Sequence, residues 1–199
     1  MKKHSVHLVK GNQYGLTPVP GYPILSRIRE AVDMGSKTQR NLAGAFAAES
    51  KASVRNEAFG RKADAEGYVG IARLFRAISE AESVHARRYL ILMRGKIGST
   101  EENLEVAFQS EIRANVEEYP NLIKEAAEEG EEAAQKAFSH ARDVEDRHAE
   151  LYKKAMNDML SERQTIYYVC QVCGFVAEDE APQNCPVCGA VKGKFRKIE

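Results

Sequence analysis

The sequence has no net charge, no long apolar run and no cysteine before residue 170. Its 29 basic residues balance its 29 acidic residues, which removes the electrostatic case for a nucleic-acid or membrane-surface partner. No apolar stretch approaches the roughly 18 residues that a membrane-spanning helix needs. The basic start at residues 1–7 is not followed by the apolar segment of a signal peptide, so we expect a cytoplasmic protein.

All four cysteines fall in the last 30 residues, where they form two C-x-x-C pairs separated by eleven residues. In a cytoplasmic chain such pairs are typical of a metal site rather than of disulfides. Four thiolates at this spacing predict a tetrahedral site, and both zinc and a single iron suit it. The predicted ligands are Cys170, Cys173, Cys185 and Cys188.

The distribution of glycine and proline divides the chain into three parts. Residues 1–34 are punctuated by both and predict an extended arm with one short helix near 24–33. Residues 35–163 are rich in strong helix formers and predict a four-helix bundle. Residues 164–199 predict a small β-rich module that needs a metal, because about 35 residues bury too little apolar surface. The predicted helices span about 36–65, 68–94, 100–129 and 131–161.

Local signals support these helices and predict one irregularity. Ser36 and Ser99 are each followed three residues later by Gln or Glu, as in a capping box at a helix start. Pro120 falls inside the third helix, where it removes one backbone hydrogen bond and should kink or bulge the helix. On the second helix the apolar spacing predicts a buried stripe that includes Ile71, Leu74 and Ile78.

The helical region contains an internal repeat. The pattern Ala-Phe-x-x-Glu ending at Glu49 recurs with an offset of 62 residues and ends at Glu111, and a second set of residues recurs with an offset of 63. One inserted residue therefore separates the two registers, and the repeat predicts two helix hairpins related by pseudo-two-fold symmetry. The second set comprises Gly67, Phe75, Glu82, His85, Ala86 and Tyr89, matched by Gly130, Phe138, Glu145, His148, Ala149 and Tyr152.

Two Glu-x-x-His motifs occupy matched positions of this repeat, and each is preceded by a glutamate on the apolar face of the helix before it. Residues at i and i+3 share one helix face, so each Glu and His can meet at one ion. One such motif is common by chance, but two at matched positions, each with its additional Glu, predict a two-metal site. A shell of carboxylates and imidazoles suits iron or manganese better than zinc. We expect Glu82 and Glu145 to bridge the ions, Glu49 and Glu111 to be terminal ligands, and His85 and His148 to bind one ion each. His140 has no repeat partner and is expected to be a surface or packing residue.

These motifs, in this order, resemble the rubrerythrins, and the resemblance runs from about Asn41 to Phe195. It implies a ferritin-like di-iron bundle with two irons per chain and a C-terminal rubredoxin-like module that holds one further iron, with zinc as the other possibility. The family also uses the tyrosine at Tyr119 to hydrogen-bond a ligand carboxylate, so we count Tyr119 with the six ligands as a catalytic residue. The segments that carry the resemblance are 45–50, 82–88, 118–120, 145–148, 170–175 and 185–188.

The resemblance implies an oxidoreductase of oxidative-stress defence that reduces hydrogen peroxide to two waters. Electrons would pass from the four-cysteine iron to the di-iron site, and would come from NAD(P)H through a separate reductase or a rubredoxin-like carrier. The resemblance also implies a homodimer, often head to tail, in which one subunit's module lies near the other subunit's di-iron centre.

Two positions depart from the family pattern. A further glutamate ligand is usual three residues after the third-helix Glu, where this chain has Ala114, and the repeat mate is Ala52. A tyrosine is usual seven residues after the first-helix Glu, where this chain has Asn56. These departures motivate one alternative, a ferritin-like oxidase that uses dioxygen. A further alternative is a non-catalytic redox relay or sensor with zinc in its cysteine module.

Overall fold

The computed structural model describes residues 36–159 and 164–199. The predicted arm and its short helix near 24–33 lie outside the described residues, as does the boundary predicted at residue 163. The chain divides into two compact units between Lys96 and Ile97. In the part of the chain that is described, none of the helices is both long and apolar enough to cross a membrane.

The helices lie close to their predicted positions. Gly67 and Gly130, with φ of +84° and +74°, take the left-handed conformation that ends a helix and costs glycine little. The Ser99 capping box is complete, whereas at Ser36 only the serine half is present, with its hydroxyl accepting from the Gln39 N–H. The helices are α1 (Lys37–Ala65), α2 (Val69–Leu92), α3 (Thr100–Arg113), α4 (Tyr119–Glu128) and α5 (Glu132–Asp158).

The first unit is a hairpin of α1 and α2 that packs through small residues. Ala63, Ala72 and Ala86 are buried. A Cβ added at Gly60 would lie 3.4 Å from the Ala72 carbonyl oxygen, so the two backbones approach closely there. Large apolar side chains are not needed at a helix–helix contact this close.

The prediction of a buried apolar stripe on the second helix is wrong. Ile71, Leu74 and Ile78 are 51%, 60% and 40% exposed. Two helices bury only the strip between them, so an apolar face that points elsewhere stays open until a second layer covers it.

The irregularity predicted at Pro120 is confirmed, and it is a π-helical segment at Ala114–Glu118 that joins α3 to α4. The N–H of Tyr119 donates to the carbonyl of Ala114, five residues back. A π segment accommodates one extra residue within a helix. The offset is still 62 at Ala52 and Ala114 and is 63 at Gly67 and Gly130. The inserted residue of the second repeat therefore lies between Ala114 and Gly130, a stretch that includes the π segment.

The C-terminal module belongs to the second unit and contains a three-stranded antiparallel sheet in the order β2-β1-β3. In register, Tyr168 pairs with Ala177 and Cys170 pairs with Phe195. This pairing places the first knuckle at the end of the central strand. The strands are β1 (Tyr167–Cys170), β2 (Val176–Glu178) and β3 (Phe195–Lys197).

Candidate metal centres

The first carboxylate–histidine cluster lies on the α1–α2 hairpin. Glu49 comes from α1, and Glu82 and His85 lie one turn apart on α2. The His85 Nδ1 atom lies 3.1 Å from a Glu82 oxygen and 3.8 Å from a Glu49 oxygen. The hydrogen bond from Glu82, together with burial and the Glu82 charge, raises the pKa of Glu49 above its ordinary value.

The second cluster repeats this geometry in the second unit. Glu111 lies on α3, and Glu145 and His148 lie on α5. The His148 Nδ1 atom lies 2.9 Å from a Glu145 oxygen and 3.9 Å from a Glu111 oxygen. Burial, followed by the hydrogen bond and charge of Glu145, raises the pKa of Glu111 to about 7.

Each cluster has the donor set and the spacing that a transition-metal ion requires. Within each cluster the three ligand atoms lie within 4.8 Å of one another. Bonds of about 2.1 Å from one ion to oxygen and nitrogen bring donor atoms to about 3 to 4 Å from one another. In each cluster the glutamate whose pKa is raised, Glu49 or Glu111, also gains from a cation, which takes the place of the proton. The six residues singled out in the sequence are therefore brought together as two sets of three.

Tyr119 lies beside the second cluster, as the sequence predicts. Its hydroxyl donates to a Glu145 oxygen at 3.5 Å. Burial and the neighbouring carboxylates raise the pKa of Tyr119, so the hydroxyl keeps its proton at neutral pH. Tyr152 was not predicted as a site residue, yet burial and the charges of Glu111 and Glu145 raise its pKa too. Its match to Tyr89 in the internal repeat was the signal that could have identified it.

The four cysteines form the third centre. Their sulfur atoms all lie within 4.8 Å of one another, with Cys170 to Cys188 at 3.8 Å and Cys173 to Cys185 at 3.6 Å. A tetrahedral ion with bonds of about 2.3 Å places sulfur atoms about 3.8 Å apart, so one ion fits this arrangement.

Backbone turns hold both pairs of cysteines. The N–H of Gly174 donates to the Cys170 carbonyl and that of Gly189 to the Cys185 carbonyl, each at 2.9 Å. Both glycines have positive φ, which the turn after each C-x-x-C pair requires. Burial raises the pKa of the Cys173 thiol. These turns aim the four thiols at one point before any ion arrives.

The fold and these centres define a class: helical proteins with a paired carboxylate–histidine site and a separate thiolate site. The profile described as "Rubrerythrin" matches residues 40–156, and that of the rubrerythrin rubredoxin-like domain matches residues 168–196. The chain belongs to the rubrerythrin family. Membership confirms the predicted fold class, a mainly α ferritin-like four-helix bundle with a rubredoxin-like module, and it confirms the di-iron and four-cysteine iron sites as the family's cofactor sites.

Individual relatives agree with this assignment. The chain is 32% identical to rubrerythrin-2 of Clostridium acetobutylicum, over 78% of this chain and 93% of that protein. It is 32% identical to nigerythrin of Nitratidesulfovibrio vulgaris, over 79% of this chain and 85% of that protein. A solved nigerythrin structure in a mixed-valence state matches with a TM-score of 0.49 and 31% identity, covering 82% of this chain and 87% of that one. The family assignment therefore rests on sequence.

Proposed function

We propose that this protein is a non-haem di-iron peroxidase that reduces hydrogen peroxide to water and receives its electrons through its four-cysteine iron. The observation that supports this most is the presence, in one rubrerythrin-family chain, of two matched Glu–Glu–His clusters and a four-cysteine cluster. The family is one of oxidoreductases, and peroxidase activity is the finer assignment proposed here.

In this proposal the two clusters act as the two halves of one di-iron centre. Glu82 and Glu145 would bridge the ions, while each histidine would bind one ion and the remaining glutamates would be terminal. When bound, the two irons supply the two electrons that cleavage of the peroxide O–O bond requires, and the four-cysteine iron supplies their replacement.

The protein's own side chains have a positioning role and a proton-holding role. Conversion of hydrogen peroxide to two waters consumes two protons as well as two electrons. Tyr119, whose raised pKa keeps it protonated, donates to Glu145 and so holds that carboxylate in one orientation. A hydrogen bond of this kind would restrict the orientation of Glu145 as a metal ligand.

A direct test begins with metal content and a visible spectrum. About three irons per chain are expected, two in the bundle and one bound by thiolates. The reduced protein is then mixed anaerobically with one equivalent of hydrogen peroxide, or separately with dioxygen. Peroxidase function requires faster oxidation by peroxide. A colourless protein that holds only zinc at the four cysteines would favour the relay or sensor alternative instead.

The electron donor and the assembly are part of the same proposal. We propose a reductase or rubredoxin-like carrier that passes electrons from NAD(P)H, a cytoplasmic location and a homodimer. Steady-state peroxide reduction that depends on NAD(P)H and on an added reductase would support the donor. Sedimentation of the iron-loaded chain tests the dimer.

A dioxygen-consuming oxidase is the second candidate, because the second cluster lacks the further glutamate that would be a seventh ligand. Ala114 begins the π segment at the position where that ligand is expected, and its repeat mate Ala52 also lacks a carboxylate. Asn56 donates its side-chain amide to the Ala52 carbonyl at 3.0 Å. Oxygen uptake coupled to ferrous oxidation, at a rate above that with peroxide, would favour this function.

A further inference from the structure

A polar contact joins the two helices of the first hairpin one turn away from its carboxylate–histidine cluster. Ser53 Oγ donates to the Ser79 carbonyl and Ser79 Oγ donates to the Ser53 carbonyl, each at 2.9 Å. Ser53 lies four residues after Glu49, and Ser79 lies three residues before Glu82. Residues three or four apart share one helix face, so both serines lie on the faces that carry the candidate ligands.

The second hairpin has the same kind of contact at the same place, but a different side chain makes it. The Asn115 Nδ2 atom donates to the Arg142 carbonyl at 2.7 Å. Asn115 lies four residues after Glu111, and Arg142 lies three residues before Glu145. The spacing from the contact to the cluster is therefore identical in the two hairpins. A serine hydroxyl makes the bond in one of them and an asparagine amide makes it in the other.

These side chains depart from the usual behaviour of serine and asparagine in helices. Such residues commonly bond to the carbonyl four positions earlier in their own helix. Ser50 does so to the Phe46 carbonyl at 2.7 Å, and Asn121 does so to the Glu117 carbonyl at 2.9 Å. The side chains of the two contacts reach the neighbouring helix instead. A carbonyl oxygen has two lone pairs, so it can accept this bond in addition to one within its own helix.

The contacts lie where the hairpins need a constraint on their register. The turn at Gly67 is 14 residues beyond Ser53, which is about 21 Å of helix, so the turn fixes the register near the cluster only weakly. A metal site needs its ligand atoms placed to within about 0.5 Å. A bond from a short side chain to the backbone of the other helix fixes both the separation and the register of the two helices. Both contacts are partly buried, which limits competition by water.

We propose that Ser53, Ser79 and Asn115 are positioning residues that set the register of the ligand-bearing helices for metal binding. We call the two contacts the register clamps. Each clamp holds the glutamate of one helix opposite the Glu-x-x-His motif of the other, and it acts through the helices rather than as a ligand. The inference rests on the proposed ligand set and not on the choice of oxidant, so it is tested by metal binding even if the protein fails as a peroxidase.

The affinity of the full chain for Mn²⁺ tests the clamps without any activity measurement. One equivalent of Zn²⁺ first fills the four thiolates, and Mn²⁺, which prefers oxygen and nitrogen ligands, is then titrated into the bundle. Electron paramagnetic resonance measures the free Mn²⁺. Asn115→Ala and Ser53→Ala should each weaken the binding of one ion by about two- to tenfold, because each removes one clamp hydrogen bond. The double variant Ser53→Ala, Ser79→Ala removes two bonds and should weaken it further.

Matched controls remove polar side chains that bond within their own helix. Ser50→Ala, on the same helix as Ser53, and Asn121→Ala should both bind Mn²⁺ with the wild-type affinity. Ser53→Thr keeps a hydroxyl at the clamp position and should bind Mn²⁺ more tightly than Ser53→Ala does. Weakening in either control equal to that in the clamp variants would overturn the proposal.

Thermal unfolding of the metal-free variants separates positioning from general stability, and circular dichroism shows that each variant is helical during the titration. A contact that only stabilises the fold lowers the unfolding midpoint but leaves the Mn²⁺ affinity of the folded protein unchanged. That result in both Ser53→Ala and Asn115→Ala would overturn the proposal, and these single variants decide it if the double variant does not fold. Glu82→Ala should abolish Mn²⁺ binding in the bundle. Wild-type binding in that variant would place the ions elsewhere and contradict a metal role for the clamps.

Discussion

At the scale of single residues, the two clusters differ in how firmly their ligands are held. The His85 side chain is 49% exposed, whereas that of His148 is 24% exposed. His148 has a partner at each ring nitrogen, Glu145 at Nδ1 and the Gly174 carbonyl at Nε2. A histidine held at both nitrogens has its tautomer and orientation set before an ion binds. We therefore expect the second cluster to be the better organised half of the di-iron centre.

Removal of one carboxylate that is proposed to bridge the ions should remove the iron from the bundle without affecting the thiolate site. Glu82→Ala is expected to reduce bundle iron from about two per chain to nearly none, because both ions would lose a ligand. The thiolate-bound iron should remain, since its ligands lie in a separate module. Elemental analysis with a visible spectrum measures both. Glu80→Ala, which changes an exposed glutamate on the same helix, should keep all the iron. Joint loss of both sites in Glu82→Ala would contradict the separation into two modules.

Removal of the Tyr119 hydroxyl should affect turnover rather than metal content. The hydroxyl makes one long hydrogen bond to Glu145, at 3.5 Å. Loss of a bond of this kind should lower kcat by about two- to tenfold, with iron content unchanged. Steady-state kinetics of Tyr119→Phe, with the iron content determined on the same sample, checks this. Wild-type kcat in the variant would exclude a positioning role for Tyr119.

At the scale of elements, the π segment at Ala114–Glu118 is the feature that makes the two hairpins unequal. It has two candidate causes, which are the inserted residue of the second repeat and the missing N–H of Pro120. Pro120 sits in the first turn of α4, where proline is tolerated because its N–H has no required partner. The inserted residue is therefore the main cause, and the proline marks where the regular helix resumes.

Two variants separate these causes. Pro120→Ala should keep the π hydrogen bond from Tyr119 to Ala114 and change stability by much less than the roughly 3 kcal/mol that proline costs in a helix interior. Deletion of Val116, which is exposed, should convert the segment to regular α-helix. Amide hydrogen exchange and backbone chemical shifts report both outcomes. Loss of the π segment in Pro120→Ala would assign the cause to proline instead.

At the scale of the whole molecule, the open apolar face of the first hairpin and the docked module each make a prediction. Ile71, Leu74 and Ile78 leave a large apolar surface exposed on the α1–α2 unit. Exposed apolar surfaces mark places where a protein contacts another packed layer or a partner.

A charge on this apolar face should therefore lower the iron content. Leu74→Asp is expected to leave the hairpin helical by circular dichroism but to weaken any packing against this face, and bundle iron with it, since a partner on this face would have to desolvate an unpaired carboxylate. Arg73→Asp, at the adjacent exposed position, is the matched control and should bind iron normally. Full bundle iron in Leu74→Asp would mean that this face does not take part in assembly.

Docking of the module should depend on pH through Glu178. The hydrogen bond from Lys154 and then the one from Arg147 lower the pKa of Glu178 below its ordinary value of 4.5, although burial opposes them. A carboxylate with a lowered pKa stabilises the docked state above pH 4.5, and this contribution is lost as the pH falls through the lowered value. The protection factors of the β2 amides, which correct for the slower intrinsic exchange at low pH, should thus fall as the pH of a zinc-loaded sample is lowered. Glu178→Gln should exchange faster at neutral pH and lose most of this dependence.

Much of the local structure was predictable because its causes are local. The capping serine at Ser99, the helix-ending glycines and the two C-x-x-C turns depend on neighbours within a few residues. The six carboxylate and imidazole side chains that the structure brings together in two clusters were predictable for a different reason. Burial of a charged residue on an apolar helix face costs free energy unless a partner compensates it. The repeat has glutamate and histidine at matched positions in both halves. The domain boundaries at residues 34 and 163 stay predictions.

What the sequence alone determined is which side chains can bind metal and on which helices they lie. The tertiary structure decided what surrounds them. The Lys154–Glu178 and His148–Gly174 contacts join residues 24 and 26 positions apart, and no local pattern encodes such a pair. The exposed stripe on α2 has the same origin, because apolar spacing predicts which face prefers burial but not which partner covers it. Periodicity is a property of one helix, whereas burial and contacts between distant residues are properties of packed elements.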